Sequence, residues 1–169
     1  EYGVSVHKLR ESLGTRAALP SDFAVTLMDY DRDIDAVVAI EKAVHASDTS
    51  SRVNFATEAA IRSMRDYYKR ACEGQDVFIL RHSDNVVGLV GFMPDHDRQA
   101  IHISSVAIDV PLQGLGLFFP LILSALGRSR FAKARTLTGV TTTKRLIEAA
   151  HRDGVTRLGI SLNKRGVTD

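Results

Sequence analysis

The chain contains a single cysteine, no tryptophan and only four prolines among its 169 residues. A lone cysteine excludes an internal disulfide, so the sequence gives no sign of an oxidising compartment. No apolar run reaches the roughly 20 residues that a membrane-spanning helix needs, and no basic segment followed by an apolar one opens the chain. We therefore expect a soluble cytoplasmic protein without a membrane partner. Cys72 lies in a helical pattern and is interpreted as a packed small hydrophobe.

The overall composition of the chain is that of one globular domain. Hydrophobic residues make up 44% of the chain and charged residues 25%, enough for a sizeable core. The net charge of +2 is uneven, since residues 1–127 hold 12 Lys/Arg against 17 Asp/Glu and residues 128–169 hold 10 against 3. This basic C-terminal quarter fits either a solvated face or attraction of an anionic ligand. No aromatic residue follows Phe131, which disfavours nucleic acid as the partner.

Apolar periodicity predicts an alternation of strands and helices. Residues 1–21 are mixed and are predicted to be an N-terminal appendage that could hold a short helix, with the domain proper at 22–169. The predicted strands are Phe23–Met28, 77–81, 86–93, 100–108, 135–141 and 156–162. The predicted helices are Asp33–Ala46, 57–73, 117–129 and 143–153. Short polar turns join the strands between 77 and 108, which indicates antiparallel hairpins.

The most informative segment is 106–126, where a β-branched strand leads through Gln113-Gly114-Leu115-Gly116 into a long apolar helix. A strand that enters a helix through two close glycines builds a nest of free backbone N–H groups. Such a nest binds phosphate, because the first helical turn leaves its amides unpaired and the helix dipole adds positive potential. The sequence therefore predicts a phosphorylated cofactor. A dinucleotide fingerprint is set aside because Phe119 stands where its third glycine would be.

This order of elements, with its glycine loop, resembles the GNAT acyltransferase superfamily over roughly Phe23 to Leu162. In that family the loop reads Arg/Gln-Gly-x-Gly-x-Gly/Ala, and here residues 113–117 fill the first five positions while Phe118 stands at the sixth. The resemblance implies an α/β fold of the mixed α+β kind, with a mostly antiparallel sheet of six or seven strands and helices on both faces. It also implies transfer of an acetyl or other acyl group from acetyl-CoA or another acyl-CoA to a primary amine of a small molecule or peptide.

The resemblance places the cofactor site on the loop and on the strand before it. Loop amides would hold the diphosphate, and a backbone N–H around residues 106–108 would stabilise the thioester oxyanion. Thr143 replaces an Asn often found near the start of the next helix. A bulky Phe118 must either turn its ring into the sheet or obstruct the site. The cofactor-binding candidates are Val106, Ala107, Ile108, Gln113, Gly114, Leu115, Gly116, Leu117, Phe118 and Thr143.

Amine acylation needs a base, because an amine with a pKa of about 10.4 is almost wholly protonated at neutral pH. The family often places a carboxylate in the strand before the loop, where this chain has Ser104 and Ser105. Strand alternation puts His102 on the same face as Ser104 and Val106, so His102 is the first candidate, acting through water. Packing on a half-buried strand is an equally good interpretation of this histidine. Further candidates for the base are Glu41 on the first helix and the turn residues Asp95, His96 and Asp97.

The proton donor that the family often uses for the departing thiolate is absent from this sequence. The family often uses a Tyr four residues before the glycine that ends the penultimate helix, and counting back from Gly154 gives Ala150. The neighbouring His151 projects about 100° away around the helix. Two functions therefore stay open: an N-acyltransferase, or a non-catalytic module that binds acyl-CoA. Apolar Leu115, Leu117 and Phe118 suggest a third, a long-chain N-acyl amino acid synthase.

Other patterns have simpler interpretations. Alternating Asp29, Asp31, Asp33 and Asp35 suggest a calcium loop, but the sixth position is Ile34 rather than glycine, so they are interpreted as charging the start of a helix and no metal site is predicted. Tyr67 and Tyr68 could line an acceptor pocket but are interpreted as a half-buried aromatic pair. Related domains usually add a strand after the last one here. A partner subunit in a homodimer, the N-terminal segment or nothing would fill that sheet edge.

Overall fold

The computed structural model describes residues 2–47, 57–95, 100–139 and 156–157. The strands are Tyr2–Ser5 (β1), Phe23–Leu27 (β2), Val77–His82 (β3), Asn85–Asp95 (β4), Ala100–Ile108 (β5), Thr136–Gly139 (β6) and Thr156–Arg157 (β7). The α-helices within these ranges are Val6–Leu13 (α1), Tyr30–Ser47 (α2), Glu58–Glu73 (α3) and Phe118–Arg128 (α4). Short 3₁₀ turns span Gly14–Ala17 and Val110–Leu112.

The seven strands of the described residues form one sheet in the order β2-β3-β4-β5-β6-β1-β7. Every neighbouring pair is antiparallel except β5 and β6, which run parallel through the pairs Ile101–Leu137 and His102–Thr138. Helices α1 and α4 pack on one face of the sheet, called here the α4 face. Helices α2 and α3 pack on the other, called here the α2 face. The predicted mixed, mostly antiparallel sheet with helices on both faces is thus confirmed.

Local signals explain where most helices begin and end. Helix α3 starts after Thr57, whose hydroxyl accepts the N–H of Ala60 at 3.2 Å, and it stops at Gly74 as predicted. Helix α2 begins at Tyr30, three residues before the predicted start, and the Asp29 carboxylate accepts the N–H of Arg32 there. The helix predicted over 143–153 lies outside the described residues, as does most of the last predicted strand. Strand β4 runs on to Asp95, through residues predicted to turn.

The N-terminal segment forms part of the sheet, whereas its mixed sequence suggested an appendage. Strand β1 pairs along its whole length with β6 and also with β7, so it lies inside the sheet rather than at its edge. The short helix expected in this segment is present as α1, which buries Leu9 and Leu13 in the same core as α4. A four-residue strand carries too little alternation to be recognised, and its partners lie at the far end of the chain.

A buried ion pair fixes α2 to the sheet. Asp33 is 1% exposed, and both of its carboxylate oxygens lie 2.8 Å from Nη2 of Arg81 on β3. Arg32 adds a bond from Nε to Oδ1 at 2.9 Å. Burial raises the pKa of Asp33, but the hydrogen bonds from Arg32 and Arg81 outweigh it and leave the pKa lowered overall. No group of three or more His, Cys, Asp or Glu side chains able to hold a metal occurs in the described part of the chain.

Candidate functional site

The glycine loop has the backbone conformation that the sequence predicts for it. Gly114 and Gly116 have φ angles of +86° and +77°, in the region that L side chains rarely adopt. A Cβ built at either position would meet no atom within 4 Å. Glycine is therefore required here by backbone conformation, and the space beside the loop is open.

The loop and the start of α4 present several unpaired amides. The first helical bond of α4 runs from the N–H of Leu121 to the carbonyl of Leu117 at 2.9 Å, and no side chain caps this helix start. Pro120 has no N–H to satisfy. Among the described residues no hydrogen-bond acceptor faces the N–H groups of Gly114, Gly116, Leu117, Phe118 and Phe119. Unpaired amides at the positive end of a helix form an anion-binding site.

Side chains on either side hold this loop in place. The Gln113 side chain donates from Nε2 to the carbonyl of Ile108 at 3.0 Å, which ties the loop to the end of β5. Leu117 is 4% exposed and anchors the start of α4 in the core. Phe118 is half-buried, packs against that core and meets Phe119 edge to face at 5.0 Å. Of the two orientations considered for Phe118, the ring thus packs on the α4-face core. Leu115 stays 64% exposed.

A β-bulge interrupts β5 at Ser104, four residues before the strand ends. Gly91 on β4 pairs with Ser105, whereas its neighbour Phe92 pairs with Ile103, so Ser104 is the extra residue. The bulge changes which side chains share a face. Ile103 and Val106 both pack against the α4-face core. The predicted alternation was therefore wrong for Val106, which lies on the face opposite His102 and Ser104.

Both serine hydroxyls at the bulge lie on the α2 face beside Gly91. A Cβ built on Gly91 would stand 2.8 Å from Ser104 Oγ and 2.7 Å from Ser105 Oγ, closer than real contacts allow. The Tyr67 hydroxyl donates to Ser104 Oγ at 2.9 Å. Ser105 Oγ is buried with no hydrogen-bond partner at normal distance among the described residues. A buried hydroxyl without a partner indicates a place for a water molecule or a polar ligand atom.

Glu41 lies in the same region, and each of its two carboxylate oxygens has a partner. It is 9% exposed, its Oε1 accepts the Tyr68 hydroxyl proton at 2.5 Å, and its Oε2 lies 3.4 Å from Nε2 of His45 one helical turn later. Burial raises the pKa of Tyr68 well above its usual value, the charge of Glu41 raises it further, and Ser105 acts in the opposite direction. Tyr68 is therefore a neutral hydroxyl that donates to Glu41.

Tyr67 and Tyr68 form hydrogen bonds in addition to the contact between their rings. Their rings do meet edge to face at 5.0 Å, as predicted. Tyr68, however, is 1% exposed rather than half-buried, and both hydroxyls bind residues that were separate candidates, Ser104 and Glu41. Sequence reasoning named Ser105 and Tyr68 but did not place them in one polar cluster, and it missed His45. The spacing of Glu41 and His45, four residues apart on one helix, was the signal available.

His102 lies apart from this cluster. Its Nδ1 is 3.1 Å from Oγ1 of Thr138, so it bridges β5 and β6 at the last residue pair of their short parallel ladder. The C-terminal half of β5 has β4 on one side and no strand partner among the described residues on the other. Of His102, Ser104 and Glu41, the structure brings Glu41 and Ser104 into one region and gives His102 a different partner.

The remaining candidates divide as follows. Ala107 packs against the α2-face core and Ile108 belongs to the α4-face core. Asp95 forms the last backbone pair of β4, with Ala100. Cys72 packs against the α2-face core, and burial raises its pKa to about 11, consistent with an unreactive thiol. His96, Asp97, Thr143, Ala150 and His151 lie outside the described residues.

A cavity of about 240 Å³ lies elsewhere, near the C-terminal end of α4. Its lining includes Arg130, which already binds Asp76 through two hydrogen bonds of 2.9 and 2.6 Å. The negative end of a helix dipole disfavours a phosphate there. Within the described ranges, no helix is long and apolar enough to cross a membrane.

No family profile matches the sequence, and no curated protein matches it significantly. Solved structures do match its fold. An N-acetyltransferase from Staphylococcus aureus Mu50 superposes with a TM-score of 0.65 at 15% identity, over 82% of this chain and 86% of that one. The chain has the GNAT fold. A predicted acetyltransferase from Clostridium acetobutylicum, solved with acetyl-CoA, matches at 0.62 and 12% identity, over 84% and 96%.

A third match of the same fold was solved with a bisubstrate analog. AAC(6')-Iy, in complex with the bisubstrate analog CoA-S-monomethyl-acetylneamine, superposes with a TM-score of 0.64 at 11% identity, over 86% of this chain and 99% of that one. At these identities the likeness establishes the fold, and the chemistry has to be argued from this chain's own residues.

Proposed function

We propose that this protein transfers an acyl group, in the first instance acetyl, from acyl-CoA to a primary amine of a small molecule or peptide. The observation that carries the proposal is the set of unpaired amides between Gly114 and Phe119, at the start of α4 and beside open space. A diphosphate needs several donors close together, and this loop supplies them from the main chain. The GNAT-fold structures with acetyl-CoA or a CoA analog support the same ligand.

The strand before the loop suits the rest of such a ligand. Coenzyme A continues from its diphosphate into an arm that contains two amide groups and ends at sulfur. The C-terminal half of β5 offers a strand edge with no described partner, and amides bind such an edge as another strand would. Ser105 and Ile108 lie about 10 Å apart along the strand, at 3.3 Å per residue. An arm that starts at the loop and follows β5 would therefore bring the thioester toward the bulge.

The proposed chemistry is direct attack of a neutral amine on the thioester carbonyl. A C–N bond forms, the C–S bond breaks, and the thiolate leaves and takes up a proton. We assign the stabilisation of the developing oxyanion to a backbone N–H around Val106 to Ile108, as expected from the sequence. Ser104 lies at the bulge where the reacting carbonyl would arrive, and Glu41 lies behind it. His102, bound to Thr138, would position the junction of β5 and β6.

Two observations favour a short acyl group in the proposed donor. Three apolar residues around the loop suggested a long acyl chain, but Leu117 is buried in the core and Phe118 packs against it. Leu115 alone stays largely exposed, and it belongs to the phosphate end of the proposed site rather than to the bulge. We therefore propose acetyl or another short acyl group as the donor.

Binding and turnover can be tested separately. Titration calorimetry with coenzyme A should show binding by the wild type and at least tenfold weaker binding by Gly114→Ala and Gly116→Ala, because alanine at a positive φ distorts the loop. Gly127→Ala is the matched control, since a Cβ there meets no atom within 4 Å and Gly127 lies within α4. Equal coenzyme A affinity in all four proteins, or none in the wild type, would refute the proposed site.

Turnover distinguishes the enzyme from a second candidate, a module that binds acyl-CoA without reacting it. Ala150 favours the module, because it stands where the family often has the tyrosine that protonates the thiolate. Thiol release from acetyl-CoA and from long-chain acyl-CoA is measured with a panel of primary amines. Amine-dependent release, larger with acetyl-CoA, supports the acyltransferase. Tight binding without release for any amine would support the module instead.

A further inference from the structure

We infer that the acceptor is a weakly basic α-amine next to a carbonyl group, as at the N-terminus of a peptide, and that the Ser104 hydroxyl binds this carbonyl oxygen. The inference rests on the proposed acyl transfer and deepens it by naming the class of acceptor. Two features of the bulge carry it. The polar groups that an acceptor can reach there are hydroxyls rather than carboxylates, and Ser104 has a proton to donate.

The polar side chains described at the bulge lie on the α2 face. On the α4 face, Ile103 and Val106 pack against the core and offer no hydrogen-bonding group. On the α2 face, Ser104 and Tyr67 are both half-buried, and their hydroxyl oxygens lie 2.9 Å apart. The Ser105 hydroxyl oxygen is buried. Within the described ranges, an acceptor that approaches the bulge therefore meets Ser104 and Tyr67 as its polar contacts.

Glu41 is poorly placed to take a proton from an incoming ammonium group. It is 9% exposed, and both of its carboxylate oxygens already have partners. Oε1 accepts from the Tyr68 hydroxyl, which is itself buried, and Oε2 lies 3.4 Å from Nε2 of His45. The described hydrogen bonds of Glu41 thus lead into α3 and along α2, and none of them leads to the bulge.

The other titratable side chains described near the bulge are also engaged. His102 lies two residues before Ser104, about 7 Å away along the strand. Its Nδ1 is 3.1 Å from Thr138 Oγ1, which holds the ring at the junction of β5 and β6. Tyr67 and Tyr68 donate their protons to Ser104 and Glu41. We therefore expect the amine to reach the thioester already neutral.

This requirement favours an α-amine over a side-chain amine. The α-amine of a peptide has a pKa of about 7.7–8.0, and a lysine-like amine has a pKa of about 10.4. At pH 7, about 10–17% of the first but only about 0.04% of the second is neutral. The neutral form of the α-amine is thus about 200- to 400-fold more available without any help from the protein.

The Ser104 hydroxyl is oriented to bind an acceptor atom. A phenol is a stronger donor than an aliphatic hydroxyl, so Tyr67 donates and Ser104 Oγ accepts. The proton of Ser104 has no acceptor among the described residues. A carbonyl oxygen, which only accepts, complements this free O–H. The carbonyl beside an α-amine both lowers the basicity of that amine and supplies this oxygen, so one chemical group satisfies both features of the bulge.

The transfer balances without any further reactant. The neutral amine attacks the thioester carbonyl, a C–N bond forms and the C–S bond breaks. One proton of the amine nitrogen ends on the departing thiolate. The products are an amide and free coenzyme A.

The first test follows kcat/KM from pH 7 to 9 at saturating acetyl-CoA, with alaninamide and Nα-acetyl-lysinamide as probes. Alaninamide carries an α-amine beside a carbonyl, whereas the lysine derivative carries only a side-chain amine. The wild type should prefer alaninamide at pH 7 by about 100-fold or more, and kcat/KM for the lysine derivative should rise about tenfold per pH unit with its neutral fraction. A flat profile for the lysine derivative would reveal a base in the site and overturn the inference.

The second test removes the donor. At pH 8, alaninamide is compared with 2,2-difluoroethylamine, a weakly basic amine without a carbonyl. The wild type should show at least about tenfold higher kcat/KM for alaninamide, and Ser104→Ala should lower this ratio by about five- to tenfold, the usual effect of one lost hydrogen bond. Tyr67→Phe should lower the ratio less, because Ser104 keeps its own proton. An unchanged ratio in Ser104→Ala would overturn the assignment of the carbonyl to this hydroxyl.

Ser47→Ala is the matched control, because the Ser47 hydroxyl also makes one hydrogen bond, to the carbonyl of Val44 at 2.8 Å, but at the exposed end of α2. This variant should keep the wild-type ratio. Equal acylation of alaninamide and the lysine derivative at pH 7 would refute the acceptor class and leave acyl transfer intact. If the wild type binds coenzyme A but acylates no amine, the proposed function fails and the inference fails with it. Thermal melting of each variant checks that it is folded.

Discussion

The buried Asp33–Arg81 pair gives a stability prediction that does not depend on the function. Asp33 is 1% exposed and accepts hydrogen bonds from Arg81, Arg32 and the N–H of Asp29. The Arg81 side chain is 12% exposed, and its Nε also donates to Thr26 at 3.2 Å. Truncating the carboxylate leaves a guanidinium in a buried site without its counter-charge. Breaking such a pair on one side costs about 3–5 kcal/mol.

The experiment is urea unfolding of Asp33→Ala followed by circular dichroism. For a slope of about 2 kcal/mol per molar urea, a loss of that size lowers the unfolding midpoint by about 2 M. Asp35→Ala is the matched control, because Asp35 bonds Arg65 from a side chain that is 85% exposed, where ion pairs contribute little. Its midpoint should stay near that of the wild type.

A double variant separates the lost counter-charge from lost packing. Asp33→Leu with Arg81→Met replaces both charges by apolar side chains, and such replacements are often neutral or stabilising. We expect the double variant to be clearly more stable than Asp33→Ala. If Asp33→Ala lowers the midpoint no more than Asp35→Ala does, the reasoning that this pair anchors α2 is refuted.

Three further predictions follow from single sites. The pKa of Asp33 is lowered from 3.8 in the folded state, so the contribution of this carboxylate to stability is present above pH 3.8 and is lost as the pH falls through the folded pKa. Urea titrations between pH 5 and 3 should therefore show that acid destabilises the wild type more steeply than Asp33→Ala. Cys72, with its pKa raised from 9.0 to about 11, should react with a thiol reagent at pH 7 roughly 100-fold more slowly than the urea-unfolded chain, and equal rates would contradict its burial. Gly91→Ala should cost about 1–3 kcal/mol of unfolding free energy from overpacking against the two serines, and adding Ser105→Ala should recover part of that loss; a single variant as stable as the wild type would speak against the close contact.

The local features of the candidate site were predictable from the sequence. The glycine loop could be predicted because two glycines between a β-branched strand and an apolar helix leave few other conformations. The start of α3 at Thr57 and its end at Gly74 were predictable for the same kind of reason, since caps act within one turn of the chain. Glu41 and Ser104 could be named as candidates by residue type. The residues that contact them could not be predicted, because no local sequence pattern encodes the hydrogen bond from Tyr68 to Glu41 or from Tyr67 to Ser104.

Within the described residues, the sequence by itself determined the elements from β2 to β6, their order and the glycine loop, because each depends on residues within a few positions of one another. Only the tertiary structure decided which side chains share a face at the bulge, since one extra residue at Ser104 reverses the alternation of everything before it. It also decided that β1 lies between β6 and β7, and that Asp33 binds Arg81. These are pairings between distant parts of the chain, and they form only when the whole sheet and both of its helical layers pack together.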